Sequence, residues 1–356
     1  MTIFEKHKQY NKSELHIKSC LYGNYHSAIL FIFFTISANG SFNSIQNVEW
    51  LLFGIITFSL FIRLIQAPLY IGKYPIWFFL LTALTILSFF WAQSTEFAIM
   101  GIKIIVNILP YCIYLYLLIQ DKNDIVKVIN IFNFAIIVNC IYSFLITDFS
   151  FSSVFRLADG LGGGWNPNQL GMQAAFSICF CMFFLDKDSG YFHQKHFVYK
   201  IMISFLTIVV LLTGSKKALF IILLFALLYY ILTRRTKKIR YLVITIVGLT
   251  IVYYLIYNVP TLYMTIGLRI DQFIFSLTQI STGDRTGDLA RLAMMEEGWK
   301  YFIQRPLFGH GAWNYAYLNG VNNASYIYSH NNYIELLVGY GIIGVILYYY
   351  SYFHLL

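Results

Sequence analysis

Apolar stretches of about 17 to 25 residues, each long enough for a helix to cross ~30 Å of hydrocarbon, recur along the whole chain. No single soluble core has room for so many. With 58% of its 356 residues hydrophobic and 12% charged, the chain has too little polar surface to cover an ordinary globular domain. Its mean hydropathy is +0.64. Strand-type alternation, the mark of an outer-membrane barrel, is absent. Backbone polar groups in lipid must be satisfied within the segment, so the reading is an all-α, polytopic integral membrane protein, one membrane domain over residues 1–356.

About ten spans thread through it, at 26–40, 48–65, 74–92, 96–119, 125–146, 168–185, 197–213, 216–233, 240–258 and 332–351. A polar, lysine-bearing segment, 1–24, precedes the first and does not read as a cleavable signal peptide. Cytoplasmic loops carry the excess of Lys and Arg. With the N-terminus inside, sixteen of the 25 Lys and Arg fall on the cytoplasmic side, and the outer loops 41–47 and 93–95 have none. The five cysteines (Cys20, Cys112, Cys140, Cys179 and Cys181) lack metal-ligand spacing and read as small core residues.

The cations left outside are therefore informative. They are Arg156, Lys216, Lys217, Arg269, Arg285, Arg291, Lys300 and Arg305, with Lys103 inside the fourth span. In this topology the sixth, eighth and tenth spans present their N-termini, each with about half a positive charge, to the outer face. Asn166 caps the sixth, with Pro167 first and Gln169 completing a capping box; Ser215 caps the eighth; Ser329 or Asn331 caps the tenth beside His330. Lys216 and Lys217 in a first helical turn oppose the macrodipole at ~0.3 to 1 kcal/mol each. A bound phosphate reverses that sign, because backbone N–H groups and cations together hold anions.

Plainer readings stand beside these. Paired lysines snorkel to headgroups, as does Lys103; Asn166 is a competent cap without any function; Arg156, Arg285 and Arg305 read as solvated. Loop tryptophans and tyrosines form an interfacial belt as readily as a sugar-stacking surface. The loop 259–331 reads as an extracytoplasmic lid. In it "DLARLAMMEEGWKYFIQ" forms an amphipathic helix through Leu289, Leu292, Ala293, Trp299, Phe302 and Ile303, ended by Pro306, and "TLYMTIGLRIDQFIFSL" lies flat at the interface.

"HNNYIELLVGYGIIGV", residues 330–345, is His-Asn followed at fixed spacing by Gly341, Gly344 and Val345. It resembles the O-antigen ligase and polysaccharide polymerase superfamily. "RLAMMEEGWKYFIQRPLFGHG", 291–311, is similar to that family's Arg-helix-Pro-x-x-Gly-x-Gly segment, and "TGSKKALF" stands where it usually has Gly-Ser-Arg. Lys216 thus replaces an arginine, keeping the charge and losing the bidentate fork. The similarity covers roughly residues 150–350; the first five spans agree in hydropathy alone.

The resemblance implies a metal-independent, cofactor-free glycosyltransferase on the outer face of the bacterial cytoplasmic membrane. It polymerises polyprenyl-diphosphate-linked oligosaccharide repeats into capsular, exo- or O-antigen polysaccharide. The alternative is a ligase passing the glycan to lipid A core. Implied partners are the lipid-linked oligosaccharide, the growing glycan or acceptor lipid, membrane lipids, a flippase and a chain-length regulator, with no nucleic acid. His330 is the candidate base or acceptor-orienting group, since histidine, ordinarily titrating near ~6.5, is neutral at pH 7. Arg291 and Lys216 are expected on the departing diphosphate, Lys217 and Arg156 in support, with Asn331, Ser215 and Asn166 as supporting polar groups. A flippase or other transporter is the competing class. Such proteins place ionisable residues at mid-membrane, where this chain has almost none.

Overall fold

The computed structural model describes residues 24–38, 46–66, 72–119, 122–147, 157, 166–185, 196–233, 238–268, 270–271, 286–323 and 326–355. They are helical: α1 Asn24–Ala38, α2 Gln46–Gln66, α3 Lys73–Leu87 with a 3-10 turn Ser88–Trp91, α4 Thr95–Leu118, α5 Lys122–Ile146 and α6 Pro167–Leu185. There follow α7 His196–Thr213, α8 Lys216–Thr233, α9 Lys238–Asn258, α10 Thr286–Gln304, α11 Asn314–Asn323 and α12 Asn332–Leu355. Among the described residues six segments are long and apolar enough to cross a membrane: Lys73–Trp91, Thr95–Leu118, Lys122–Leu145, Pro167–Leu185, His196–Thr213 and Asn332–Phe353. Shorter apolar helices occur at Tyr25–Ile36, Trp50–Ile62 and Ile246–Asn258. The all-α membrane architecture is as the sequence indicates.

The chain divides into two compact units, residues 1–52 with 121–280, and residues 53–120 with 281–356. In the first, Gly171, Ala174, Ala175 and Ser177 form a small-residue face on α6. Small residues let helices approach closely where lipid supplies no hydrophobic drive. Leu206, Val209 and Val210 of α7 and Ala218 of α8 pack into this core. Asn133 of α5 ties into α6: Ser177 donates to Asn133 at 2.7 Å, and Asn133 Nδ2 to Cys181 Sγ at 3.7 Å. Cys140, Cys179 and Cys181 are free and buried, Cys112 partly so, as small core residues; Cys20 lies outside the described residues.

In the second unit α3 and α12 pack side by side, with Trp77 Nε1 donating to the Leu347 carbonyl at 2.6 Å and Thr85 to the Tyr340 hydroxyl at 3.3 Å. The last helix is not continuous. At Gly341 the backbone turns to φ 64°, ψ −163°, left-handed space that a side chain enters only with strain. The broken helix frees carbonyls at 338 and 339 and N–H groups at 342 and 343, and residues 306–311 satisfy all four. His310 and Gly311 N–H reach Val338 and Gly339 O at 2.7 and 3.0 Å; Ile342 and Ile343 N–H reach Pro306 and Leu307 O at 2.8 and 3.3 Å. Irregular backbone at membrane depth survives only when protein covers it in this manner.

On α10 the buried face is Tyr301 and Phe302, packed with partly buried Met294 around Tyr315, Ile334 and Val338. Leu292, Trp299 and Ile303, apolar residues of the expected amphipathic helix, are exposed. Both faces of α10 carry apolar residues, so periodicity cannot choose between them. The part of 260–276 described is a short helix, Pro260–Leu262, and a π turn, Tyr263–Gly267. Asp271 ties this turn to α9, accepting from Tyr257 at 2.7 Å and Tyr263 at 3.0 Å.

Candidate functional site

In the first unit the α7–α8 connection is a three-residue turn, Thr213-Gly214-Ser215, buried throughout. Gly214 takes φ 61°, which lets the chain reverse without penalty. Ser215 Oγ then accepts the Ala218 N–H at 3.4 Å, the N-cap expected of it. Gly171 of α6 lies so close that a methyl there would meet Thr213 Oγ1 at 2.6 Å and Ser215 Cβ at 2.8 Å. The starts of α6 and α8 are thereby brought to one end of the unit. Asn166 caps α6, its Oδ1 accepting from the Asn168 N–H at 3.0 Å. Leu157 joins the same end through its N–H to Leu212 O at 2.9 Å. Lys216 and Lys217 are exposed in the first turn of α8. Arg156, Arg269 and Arg285 lie outside the described residues.

In the second unit the start of α12 is built more tightly. Asn331 is the cap, its Oδ1 accepting from Tyr333 N–H at 2.9 Å and Ile334 N–H at 3.4 Å. Ser329 lies before it, its hydroxyl donating to Asn331 O at 2.9 Å. The Glu335 carboxylate reaches back to the Ser329 N–H at 2.6 Å, favourably placed in the first turn. Between these clamps His330 is exposed, at φ 55°, its ring centroid 4.1 Å from that of Tyr328. Left-handed backbone at a non-glycine residue costs on the order of 1 to 3 kcal/mol and persists only where neighbours over-determine it.

Arg291 stands exposed on α10. Gly298 packs against Ile334, and Pro306 and Leu307 pair with Ile342 and Ile343, a constant offset of 36 residues. This register sets α10 parallel to α12 and puts Arg291 about one helical turn beyond His330. Arg305 is exposed, as expected, and donates to the Trp91 carbonyl at 3.0 Å. An apolar cavity of about 440 Å³ opens there, lined by Trp91 and residues 305–309.

Sequence reasoning missed two groups. Glu335 was legible as an acid in the first turn of an apolar helix. His310 had only its Gly-x-Gly setting. It is buried, with Nε2 2.8 Å from the Tyr301 carbonyl, so Nε2 carries the proton and Nδ1 has no hydrogen-bond partner. Burial lowers its pKa, outweighing the bond to Tyr301, and the Arg305 charge adds to the lowering. His310 is thus a neutral structural imidazole under the helix break. Among the described residues no group of three or more His, Cys, Asp and Glu is placed to hold a metal ion.

Asn166, Ser215, Lys216 and Lys217 share one end of the first unit; Arg291, His330 and Asn331 share one end of the α10–α12 pair in the second. Residues 201–349 match the family model described as O-antigen ligase. That stretch includes Ser215, Lys216, Lys217, Arg291, His330 and Asn331. No curated protein and no solved structure matches the chain.

Proposed function

Taking residues 201–349 as an O-antigen ligase-type domain, we propose that this protein is a glycosyltransferase of the bacterial cytoplasmic membrane. It joins oligosaccharide repeats carried on polyprenyl diphosphate into capsular, exo- or O-antigen polysaccharide. In this reading the N-terminus is cytoplasmic, residues 259–331 form the extracytoplasmic part of a single membrane domain, and the chemistry occurs on the outer face. His330 takes the proton of the acceptor hydroxyl as its oxygen bonds the donor's anomeric carbon. The bond to the diphosphate breaks, and the lipid diphosphate leaves with the electron pair. Arg291 and Lys216, with Lys217 and Arg156, offset the growing negative charge.

The observation that carries the reading is His330 itself. It is exposed, held in left-handed backbone between Asn331 and Glu335, and lies inside the matched stretch. Backbone held in this way by its neighbours fixes the position from which the imidazole acts. The test is His330→Ala in the native host, with surface glycans sized on a gel. Long chains disappear while the protein stays in the membrane; wild-type chain lengths would overturn the assignment.

The description of the matched family favours a second reading, a ligase that moves finished glycan to an acceptor lipid. Deletion separates the two. A polymerase leaves single lipid-linked repeats behind, a ligase leaves long polymer on its carrier.

A further inference from the structure

Along α10 an apolar stripe faces away from the packed side. Leu292, Met295, Trp299 and Ile303 recur at helical spacing, and Leu307 and Phe308 continue it past the helix end. All six are 38% to 61% exposed. The opposite face, with Tyr301 and Phe302, is already committed to the core. Such a row, left uncovered by the rest of the protein, suits an apolar occupant.

Three observations identify that occupant. The row begins beside Arg291, a cation at the level of the His330 site. It runs about 22 Å along the helix and its continuation. It ends in the open cavity between Trp91 and residues 305–309, where Arg305 supplies a second cation. Phe90, in the turn that follows α3, is 80% exposed. Glu296 and Lys300 edge the stripe on one side, and Lys300 is paired at 2.7 Å with Glu297.

We propose that the α10 stripe is the track for the prenyl chain of the lipid-linked glycan. The diphosphate sits at Arg291, and the first isoprene units lie along Leu292, Met295, Trp299 and Ile303. The chain enters the bilayer through the cavity beside Trp91. The inference rests on the glycosyltransferase reading for the identity of the head group. It adds a specificity determinant, recognition of the lipid rather than of the sugar.

The test is photo-cross-linking in nanodiscs of phosphatidylethanolamine and phosphatidylglycerol doped with polyprenyl diphosphate. p-Benzoylphenylalanine replaces Trp299, Leu307 or, as the lipid-facing control, Phe90, and adducts are identified by mass. At positions 299 and 307 the prenyl adduct exceeds its molar share of the lipid at least tenfold; at 90 it equals that share. Adducts in bulk proportion at all three positions overturn the track and assign the stripe to ordinary phospholipid. Ile303→Glu is the kinetic counterpart. The KM for the long-chain donor rises about tenfold with kcat unchanged, and a two-isoprene donor is unaffected; an equal effect on both donors overturns the proposal. Cross-linking needs no turnover. Enrichment without polymer formation by the wild-type protein sinks the glycosyltransferase reading alone, and polymer formation without enrichment sinks the track alone.

Discussion

Two helices here start immediately after a left-handed turn, and the chain solves the same geometric problem differently in each. Ahead of α8 the residue at φ 61° is Gly214, for which that conformation is free. Ahead of α12 the residue at φ 55° is His330. Both turns lead to a capped helix, through Ser215 and Asn331 respectively. Glycine would serve either turn. Under the proposed function the imidazole in the costlier turn is the group the chemistry needs there. Trp313, the other non-glycine residue at positive φ among the described residues, has a structural account, its indole lying against Gly101 of α4.

The largest expected effect that breaks the comparison comes from Gly341→Ala. A methyl group there meets the Leu307 carbonyl, and alanine in left-handed backbone costs roughly 1 to 2 kcal/mol more. Polymer formation fails and the melting temperature in detergent falls by several degrees, while the α8 turn keeps its structure. A cysteine-labelling pattern at position 216 that is the same in variant and parent confirms that separation. Next comes charge at the α8 start. Lys216→Arg retains activity and Lys216→Glu loses at least tenfold, measured as polymer yield at equal protein level; equal yields remove the phosphate role. The smallest effect sharpens the contrast directly. His330→Gly raises stability by about 1 kcal/mol as strain is relieved, whereas Gly214→Ala lowers it by a similar amount. In His330→Gly the stability gain accompanies lost polymer, the opposite of what a structural histidine would show.

Much of this was legible beforehand because caps and long apolar runs are local signals. Asn166, Ser215 and Asn331 are short polar residues directly ahead of apolar helices, and all three cap as read. The Gly341 break was visible only as a spaced glycine. Its partner strand, 306–311, pairs with it across some thirty residues through backbone atoms, and backbone pairing leaves no periodic trace in side chains. The packed face of α10 was not legible either, for a different reason. Gly298 makes the close contact with Ile334 through its small size, whereas large apolar residues on the other side drew the sequence reading. In a membrane protein, exposure of Trp299 and Ile303 carries no automatic penalty, so hydrophobicity alone does not mark the inside.

The interlocking of residues 306–311 with the interrupted last helix also constrains how the protein is made. During synthesis the segment 306–311 emerges first, with its amide and carbonyl groups unmatched, and waits for residues 338–343. The broken α12 reaches its full set of backbone hydrogen bonds only when this segment is docked against it.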